Sequence, residues 1–171
     1  MKALLVIDML KDFIDKKGAL YCGDEARAIV PFIKKKVSEC RSCACKVIYI
    51  CDAHDKDDAE FKVFKPHCIK GEEGSRIIDE LSPIKGETIV KKSRYSGFYG
   101  TELDAVLKNV NPDVVEVVGV CTSICVMDTV GGLRNRDYKV VVYKEGVADF
   151  DGEAHRFALR RMKNIYAAEV V

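Results

Sequence analysis

Cys125 is the residue of this chain that is best placed in the sequence to act as a nucleophile. It lies about one turn into a predicted helix that follows the apolar run 114–120. The N-terminus of a helix carries unpaired N–H groups and partial positive charge, which together stabilise a thiolate. Such positions lower a cysteine pKa from about 8.5 into roughly the 3.5–7.5 range. The alternative is a buried structural cysteine, because free cysteine is among the most buried residue types.

Other chemically useful side chains stand where predicted strands end: Asp8, Asp52 with His54, and Lys92. Ligands of open parallel sheets bind beyond the carboxyl ends of the strands, so we expect these groups to share one site with Cys125. There a carboxylate accepts the thiol proton, the ammonium stabilises both anions, and N–H groups at the helix start hold an oxyanion. Taken singly, each residue also has a structural explanation, as a turn cap, a solvated lysine or a loop histidine.

Strands and helices alternate along the chain. Strands are predicted, mostly as continuous apolar runs, at 3–7, 46–50, 88–91, 114–120, 139–143 and 165–168. Helical patterns begin at Val30, with Pro31 in the first turn, and cover 75–81, a segment from Thr101 with a capping-box pattern, 122–136 and 151–162. Continuous apolar strands are typical of sheets covered on both faces. The pattern therefore predicts an α/β fold: one three-layer α/β/α domain over 1–171 with a six-stranded, mainly parallel sheet.

Composition excludes several classes of function. A net charge of +1 over 171 residues gives no electrostatic reason to expect nucleic acid or an acidic membrane surface as a partner. No segment approaches the roughly 20 apolar residues of a membrane span, so a cytoplasmic protein is expected. The eight cysteines are accordingly expected to be reduced thiols. We expect Cys40, Cys43 and Cys45 to lie at a helix end and a strand start, not in a metal cluster, because no second cysteine pair follows them.

At these residues the chain resembles the cysteine hydrolases of the isochorismatase-like superfamily, and within it the nicotinamidase-like branch. The resemblance covers nearly the whole chain. It rests on five segments in order: 6–13 (VIDMLKDF), 52–54 (DAH), 66–74 (PHCIKGEEG), 92–101 (KSRYSGFYGT) and 119–126 (GVCTSICV). It implies a catalytic triad of Asp8, Lys92 and Cys125. It also implies a cis peptide bond between Val120 and Cys121, and an oxyanion hole formed by the amides of Cys121 and Cys125.

The nicotinamidase-like branch further implies a divalent metal held by Asp52, His54 and His67. Aspartate and neutral imidazole suit zinc, with iron or manganese as alternatives. The alternative for these three residues is an ordinary loop. The resemblance also implies that three aromatic side chains line the substrate pocket: Phe13, Phe64 and Tyr95.

The resemblance implies an amidohydrolase that cleaves a small carboxamide through a Cys125 thioester and releases ammonia, with nicotinamide to nicotinate as the leading reaction. Relatives are dimers or tetramers, so a homo-oligomer is expected. Four departures leave the substrate open: Leu10 replaces a common glutamine, Ala53 a tryptophan and Cys121 an alanine, and no second histidine precedes His67.

Other functions remain alternatives. One is an N-carbamoyl or ureido amidohydrolase of the same superfamily, which would lack the metal site. A vinyl-ether hydrolase of the isochorismatase type fits less well, because that branch lacks the nucleophilic cysteine. A non-catalytic ligand- or metal-binding module predicts an inert Cys125. A thiol redox sensor predicts a disulfide from Cys121 to Cys125 or to Cys68. His155 has no predicted role beyond a surface or cap position.

Overall fold

The computed structural model describes all residues from 1 to 171 and has a single six-stranded sheet at its centre. The strands are β1 (Lys2–Ile7), β2 (Cys45–Asp52), β3 (Thr88–Lys92), β4 (Val114–Val120), β5 (Val140–Ala148) and β6 (Glu169–Val170). Their order is β3-β2-β1-β4-β5-β6, and every neighbouring pair is parallel. The predicted α/β architecture is confirmed, and the sheet is parallel throughout.

Helices cover both faces of this sheet. They are α1 (Lys11–Ile14), α2 (Asp24–Ala28), α3 (Val30–Arg41), α4 (Leu103–Val110), α5 (Met127–Arg134) and α6 (Gly152–Asn164). The side chains of β1 alternate between two apolar cores. Leu4 and Val6 pack with the first three helices, whereas Leu5 and Ile7 pack with the last three. Both faces of the sheet are therefore buried against helices, which explains why the strand sequences are continuous apolar runs.

The helix predicted at 75–81 is wrong. Two short 3-10 turns, Glu73–Ser75 and Asp79–Leu81, occupy this region instead. The intervening backbone bonds to the segment after β1: Lys11 donates to the carbonyl of Arg76 at 2.9 Å, and Ile78 donates to that of Met9 at 3.1 Å. Those tertiary hydrogen bonds take the place of helical ones, and they attach the loop before β3 to the site end of the sheet.

The sixth strand begins later than predicted. Residues 165–168 form the turn that closes α6, where the Ala168 amide donates to the Met162 carbonyl at 3.0 Å and Ala167 has a φ of 53°. Only then does β6 pair with β5. Ala168 is the one buried residue of this segment and Ile165 is 66% exposed, so the apolar run 165–168 does not mark a buried strand.

The expectation that every cysteine is a free thiol is also wrong. Cys40 in the last turn of α3 and Cys45 at the start of β2 are joined by a disulfide, with their Cα atoms 4.9 Å apart. The tight turn between helix and strand brings the two together. The helix-end and strand-entry positions predicted for them are confirmed.

Local backbone geometry brings β1 and β4 together next to the site. Asp8 adopts a φ of 52°, and its amide donates to the Ile50 carbonyl of β2 at 2.8 Å. Gly119 has a φ of 124°, and a Cβ at this position would lie 2.0 Å from the Ile7 carbonyl oxygen. Only glycine allows β4 to approach β1 so closely. None of the helices has the length and apolar character needed to cross a bilayer.

Candidate active site

Lys92 lies at the centre of a buried cluster of charged groups at the carboxyl edge of the sheet. Its side chain is 0% exposed, and Nζ lies 2.8 Å from Asp8 Oδ2 and 3.3 Å from Cys125 Sγ. It also pairs with Asp52 Oδ1. Because the strand order is β3-β2-β1-β4, Lys92 reaches across β2 to contact groups carried by β1 and by the turn after β4. The predicted convergence of Asp8, Lys92 and Cys125 is therefore present in the structure.

Asp8 follows β1 directly and is 1% exposed. Its Oδ1 accepts a hydrogen bond from the Asp52 amide at 2.8 Å. Burial, followed by the neighbouring Asp52 carboxylate, raises the pKa of Asp8 to about 6, although Lys92 opposes the shift. A carboxyl group with this pKa is ionised at neutral pH yet gains a proton readily, which suits a general base.

Cys125 lies in a π-helical turn, Thr122–Val126, that follows β4 and leads into α5. The expectation of a lowered pKa is wrong for this thiol. Burial is the largest influence and raises its pKa well above the ordinary value, and the carboxylates of Asp8 and Asp52 add to this, with Lys92 acting against them. Desolvation outweighs the helix terminus because the thiol is only 7% exposed. Cys125 is therefore a protonated thiol with a base beside it.

The peptide bond between Val120 and Cys121 is cis, as the resemblance implies. The Cys121 amide has no acceptor among the backbone or side-chain groups of the protein. Both Cys121 and Cys125 line the same cavity. An unpaired N–H next to the nucleophile is the kind of donor that holds an oxyanion.

Two side chains from the segment after β5 hold the turn that carries Cys125. Asp149 is buried, and its Oδ2 accepts a hydrogen bond from the Ser123 amide at 2.7 Å. His155 of α6 shares a hydrogen bond of 2.9 Å between Nδ1 and Thr122 Oγ1. Cys121, the residue before the turn, makes no side-chain cap bond. Asp149 thus supplies the cap from a distant segment, and His155 has a structural contact that the sequence did not predict.

Asp52, His54 and His67 form a second cluster next to the first. Their ligand atoms all lie within 4.8 Å of one another, and all three residues are buried. The Nε2 atom of His54 lies 3.6 Å from Asp52 Oδ2, and that of His67 lies 3.8 Å from the same oxygen. Burial lowers the pKa of His67, which favours the neutral imidazole that ligates metal.

Hydrogen bonds behind the two imidazoles direct them toward a common point. His54 Nδ1 lies 3.1 Å from Asp58 Oδ2, and His67 Nδ1 lies 2.7 Å from the Lys65 carbonyl. Both partners are acceptors, so Nδ1 is the protonated nitrogen of each neutral ring, and Nε2 then has a lone pair for a metal. Burial opposes a charge on His54, but the Asp52 and Asp58 carboxylates outweigh it and raise its pKa. His54 Nε2 is buried and has no hydrogen-bond partner. A buried polar atom without a partner is costly in a protein interior, and a bound metal would remove that cost. The donor set fits a divalent metal.

Glu60 joins this cluster although the sequence analysis did not single it out. Its side chain is 6% exposed, Oε1 lies 3.9 Å from His67 Nε2, and Oε2 has no hydrogen-bond partner. Burial, followed by the charge of Asp52, raises its pKa. The sequence offered one signal for Glu60, since it is an acidic residue in the loop between His54 and His67.

A cavity of 290 Å³ opens onto both clusters. Phe13, Phe64 and Tyr95, the three predicted aromatic side chains, all line it. The centroid of the Phe13 ring lies 5.4 Å from that of His67. The walls are mostly apolar, and no lysine or arginine side chain contributes to them. The cavity therefore suits a small, uncharged, flat molecule.

Five further residues line this cavity without having been predicted: Leu20, Tyr21, Cys22, Ile124 and Phe150. Ile124 is adjacent to the nucleophile, so its position in the chain was a usable signal. The others lie on loops after α1 and after β5, whose paths depend on tertiary contacts. Neither periodicity nor a motif identifies them.

Known proteins share both the sequence and the fold of this chain. Residues 2–171 match the family model described as the isochorismatase domain. The nicotinamidase PncA from Bacillus subtilis is 35% identical, with a TM-score of 0.94 and with 99% of this chain and 98% of that chain covered. The N-carbamoylsarcosine amidase from Thermoplasma acidophilum is 34% identical, with a TM-score of 0.89 and coverage of 99% and 94%.

A pyrazinamidase from Pyrococcus horikoshii, solved in complex with zinc, has the same fold at 24% identity, with a TM-score of 0.93 and coverage of 99% and 98%. The family model spans nearly the whole chain, and two relatives exceed 30% identity over almost their full length. Amidases of this family act on C–N bonds. The chain is therefore a hydrolase of the isochorismatase family.

Proposed function

We propose that this protein hydrolyses a small, uncharged aromatic carboxamide to the acid and ammonia, with nicotinamide as the leading substrate. The observation that carries the proposal is the contact between Asp8, Lys92 and Cys125 at an apolar cavity of 290 Å³ whose walls hold no cationic side chain. Asp8, Lys92 and Cys125 are the proposed catalytic residues. Phe13, Phe64 and Tyr95 are the proposed substrate-binding residues.

The first half of the proposed reaction forms a thioester. Asp8 takes the proton of Cys125, and Sγ attacks the carbonyl carbon of the bound amide. The amides of Cys121 and Cys125 donate to the oxygen as it becomes negative. Asp8 then passes its proton to the nitrogen, the C–N bond breaks and ammonia leaves. Lys92 stabilises the charge of the thiolate and of Asp8 while the proton moves.

The second half releases the acid. Asp8, again a carboxylate, takes a proton from a water molecule, and the resulting hydroxide attacks the thioester carbon. The C–S bond breaks, and the proton held by Asp8 returns to Cys125. Each cycle consumes one water and releases one ammonia for each amide. It returns Asp8 to a carboxylate and Cys125 to a thiol.

Asp52, His54 and His67 would hold a divalent metal beside the cavity, with zinc as the leading candidate and Glu60 within reach. When bound, the metal would supply a Lewis acid for a ring nitrogen or another lone pair of the substrate. The phenyl ring of Phe13 next to His67 orients a flat ring against this side of the cavity. Iron and manganese are also compatible with this donor set.

The absence of a lysine or arginine side chain from the cavity walls favours this proposal over its nearest rival. N-carbamoyl and ureido acids carry a carboxylate, and burying an unpaired charge is costly. Lys92 does not serve that purpose, because Asp8 and Asp52 already engage its ammonium group. A neutral carboxamide needs no such partner, so it suits these walls better.

The test is ammonia release from nicotinamide and from N-carbamoylsarcosine by the purified protein, with bound metal quantified in the same batch. Cys125→Ala should abolish turnover, whereas Cys43→Ala, which removes an exposed free thiol, should retain it. Added hydroxylamine should divert the acyl group from Cys125 to a hydroxamate. A fully active Cys125→Ala variant would overturn the mechanism. Turnover of the carbamoyl acid alone would overturn the substrate class but retain the nucleophile.

A further inference from the structure

A second pair of thiols lies on the wall of the same cavity. The Sγ atoms of Cys22 and Cys121 are 3.3 Å apart, although 99 residues separate them in the chain. Cys22 is 2% exposed and Cys121 is 8% exposed, and both side chains line the cavity that reaches Cys125. Neither is in a disulfide in this structure. Small molecules that enter the cavity therefore meet three cysteines rather than one.

The approach of these two thiols is built into the backbone. Cys22 is held in place because its amide donates to the Phe13 carbonyl at 2.9 Å, and the Leu20 amide donates to the Asp12 carbonyl at 3.1 Å. Cys121 directly follows β4, the strand next to the central β1. Both sides of the contact thus rest on the core of the protein. The pair is a fixed feature of the cavity wall rather than a chance encounter of two mobile loops.

We propose that Cys22 and Cys121 are an oxidation site for peroxides, which join them in a disulfide across the cavity wall. One of the two sulfurs, as its thiolate, attacks hydrogen peroxide, giving a sulfenic acid and hydroxide. The neighbouring thiol then displaces water from this sulfenic acid, and the S–S bond forms. In total two thiols are oxidised by two electrons, and one peroxide is reduced to two waters. A small dithiol reverses the step by thiol–disulfide exchange.

The geometry supplies the second thiol whichever sulfur reacts first. The Sγ atoms of Cys22 and Cys121 are 3.3 Å apart, so a sulfenic acid formed on either one has the other thiol beside it. The redox sensor considered from the sequence paired Cys121 with Cys125 or Cys68; the structure places Cys22 beside it instead.

Formation of this disulfide would also regulate the site, an effect that rests on the proposed amidase function. An S–S bond measures about 2.05 Å, so the two sulfurs must come about 1.3 Å closer than they are. Cys121 carries a proposed oxyanion donor, and displacement of a catalytic group by about 1 Å can cost on the order of 100-fold in rate. We expect oxidation to lower turnover at least tenfold and reduction to restore it.

The first experiment tests the site without any assay of activity. Full-length Cys125→Ser protein, which cannot oxidise at the nucleophile, is treated with hydrogen peroxide, capped with N-ethylmaleimide, digested and mapped by mass spectrometry. A peptide pair joined through Cys22 and Cys121, absent after dithiothreitol, is expected. Buried Cys51 serves as the internal reference and should be recovered with a free thiol. Separate recovery of Cys22 and Cys121, capped or as sulfinic acids, would overturn the proposal.

The second experiment tests the effect on turnover. Wild type and Cys22→Ser are oxidised in parallel, and each rate is compared with that of the same untreated protein. Wild type should lose activity that dithiothreitol restores, and Cys22→Ser should lose less at the same peroxide dose. Equal losses would show that oxidation of Cys125 alone inactivates the enzyme, which would overturn the regulatory role. A protein inactive on every amide would refute the proposed function, whereas the mapping experiment would still decide the oxidation site.

Discussion

Replacement of Lys92 by methionine tests whether its ammonium group holds the site together. The side chain is 0% exposed and contacts two carboxylates and a thiol. Removal of one partner from a buried ion pair costs about 3–5 kcal/mol, because the remaining charge stays buried without compensation. The neighbouring Lys91 offers a matched control, since it is exposed on the same strand. Lys91→Met should change the free energy of unfolding by no more than about 0.5 kcal/mol.

Urea unfolding followed by circular dichroism, with a chelator present for every variant, measures this difference. With a slope of about 2 kcal/mol per molar urea, a loss of about 4 kcal/mol in Lys92→Met should lower the midpoint by about 2 M. Combining Lys92→Met with Asp8→Asn should recover part of the loss, because one of the two carboxylates left without a partner is then gone while Asp52 remains. If Lys92→Met were as stable as Lys91→Met, the ammonium would not compensate the buried carboxylates, and the electrostatic account of the site would fail.

The pH dependence of the same deficit provides a second check on its sign. Burial and Asp52 raise the pKa of Asp8 to about 6, and Lys92 acts against that shift. Without Lys92 the folded-state pKa rises further. A carboxyl group with a raised folded-state pKa binds protons more tightly when folded, so its contribution to stability falls as pH rises from about 3.9 through that pKa. The deficit of Lys92→Met should therefore be larger at about pH 8 than at about pH 5.

Three further predictions concern the proposed reaction. Because Asp8 must be ionised to accept the thiol proton, kcat/KM should fall about tenfold per pH unit below its pKa of about 6, measured as initial rates of ammonia release; a flat profile down to pH 4.5 would exclude Asp8 as the base. Zinc added to chelator-treated protein should raise the Tm, because a ligand at 100 times its Kd stabilises the folded state by about 2.7 kcal/mol. The His67→Ala variant should show no such rise. Asp149→Ala should lower kcat by on the order of 100-fold with little change in KM, because the turn that carries Ser123 loses its cap, while Asp149→Asn should retain part of the rate.

The sheet and its site edge could be predicted because their signals are local. Continuous apolar runs indicate strands buried on both faces, and the rule for parallel sheets then places Asp8, Asp52, Lys92 and the turn of Cys125 at one edge. The structure brings these groups into contact. Their proposed roles still depend on the experiments described above.

The features that escaped prediction depend on distant contacts. The pairing of Cys22 with Cys121 and the cap that Asp149 gives Ser123 join segments far apart in the chain. The sign of the Cys125 pKa shift was wrong for the same reason. A helix start is visible in the sequence, whereas the burial that outweighs it becomes visible only once the neighbouring layers are packed.

The arrangement of the charged cluster over four neighbouring strands has a consequence for how the enzyme comes into being. Asp8 follows β1, Asp52 ends β2, Lys92 ends β3 and Cys125 follows β4, so no two of them are brought together by local structure alone. Parallel pairings of this kind close large loops and form slowly. A chain still emerging from the ribosome, or one refolding from denaturant, carries Cys125 as an ordinary thiol until these strands have paired. Recovery of turnover during refolding therefore marks the pairing of β1 to β4.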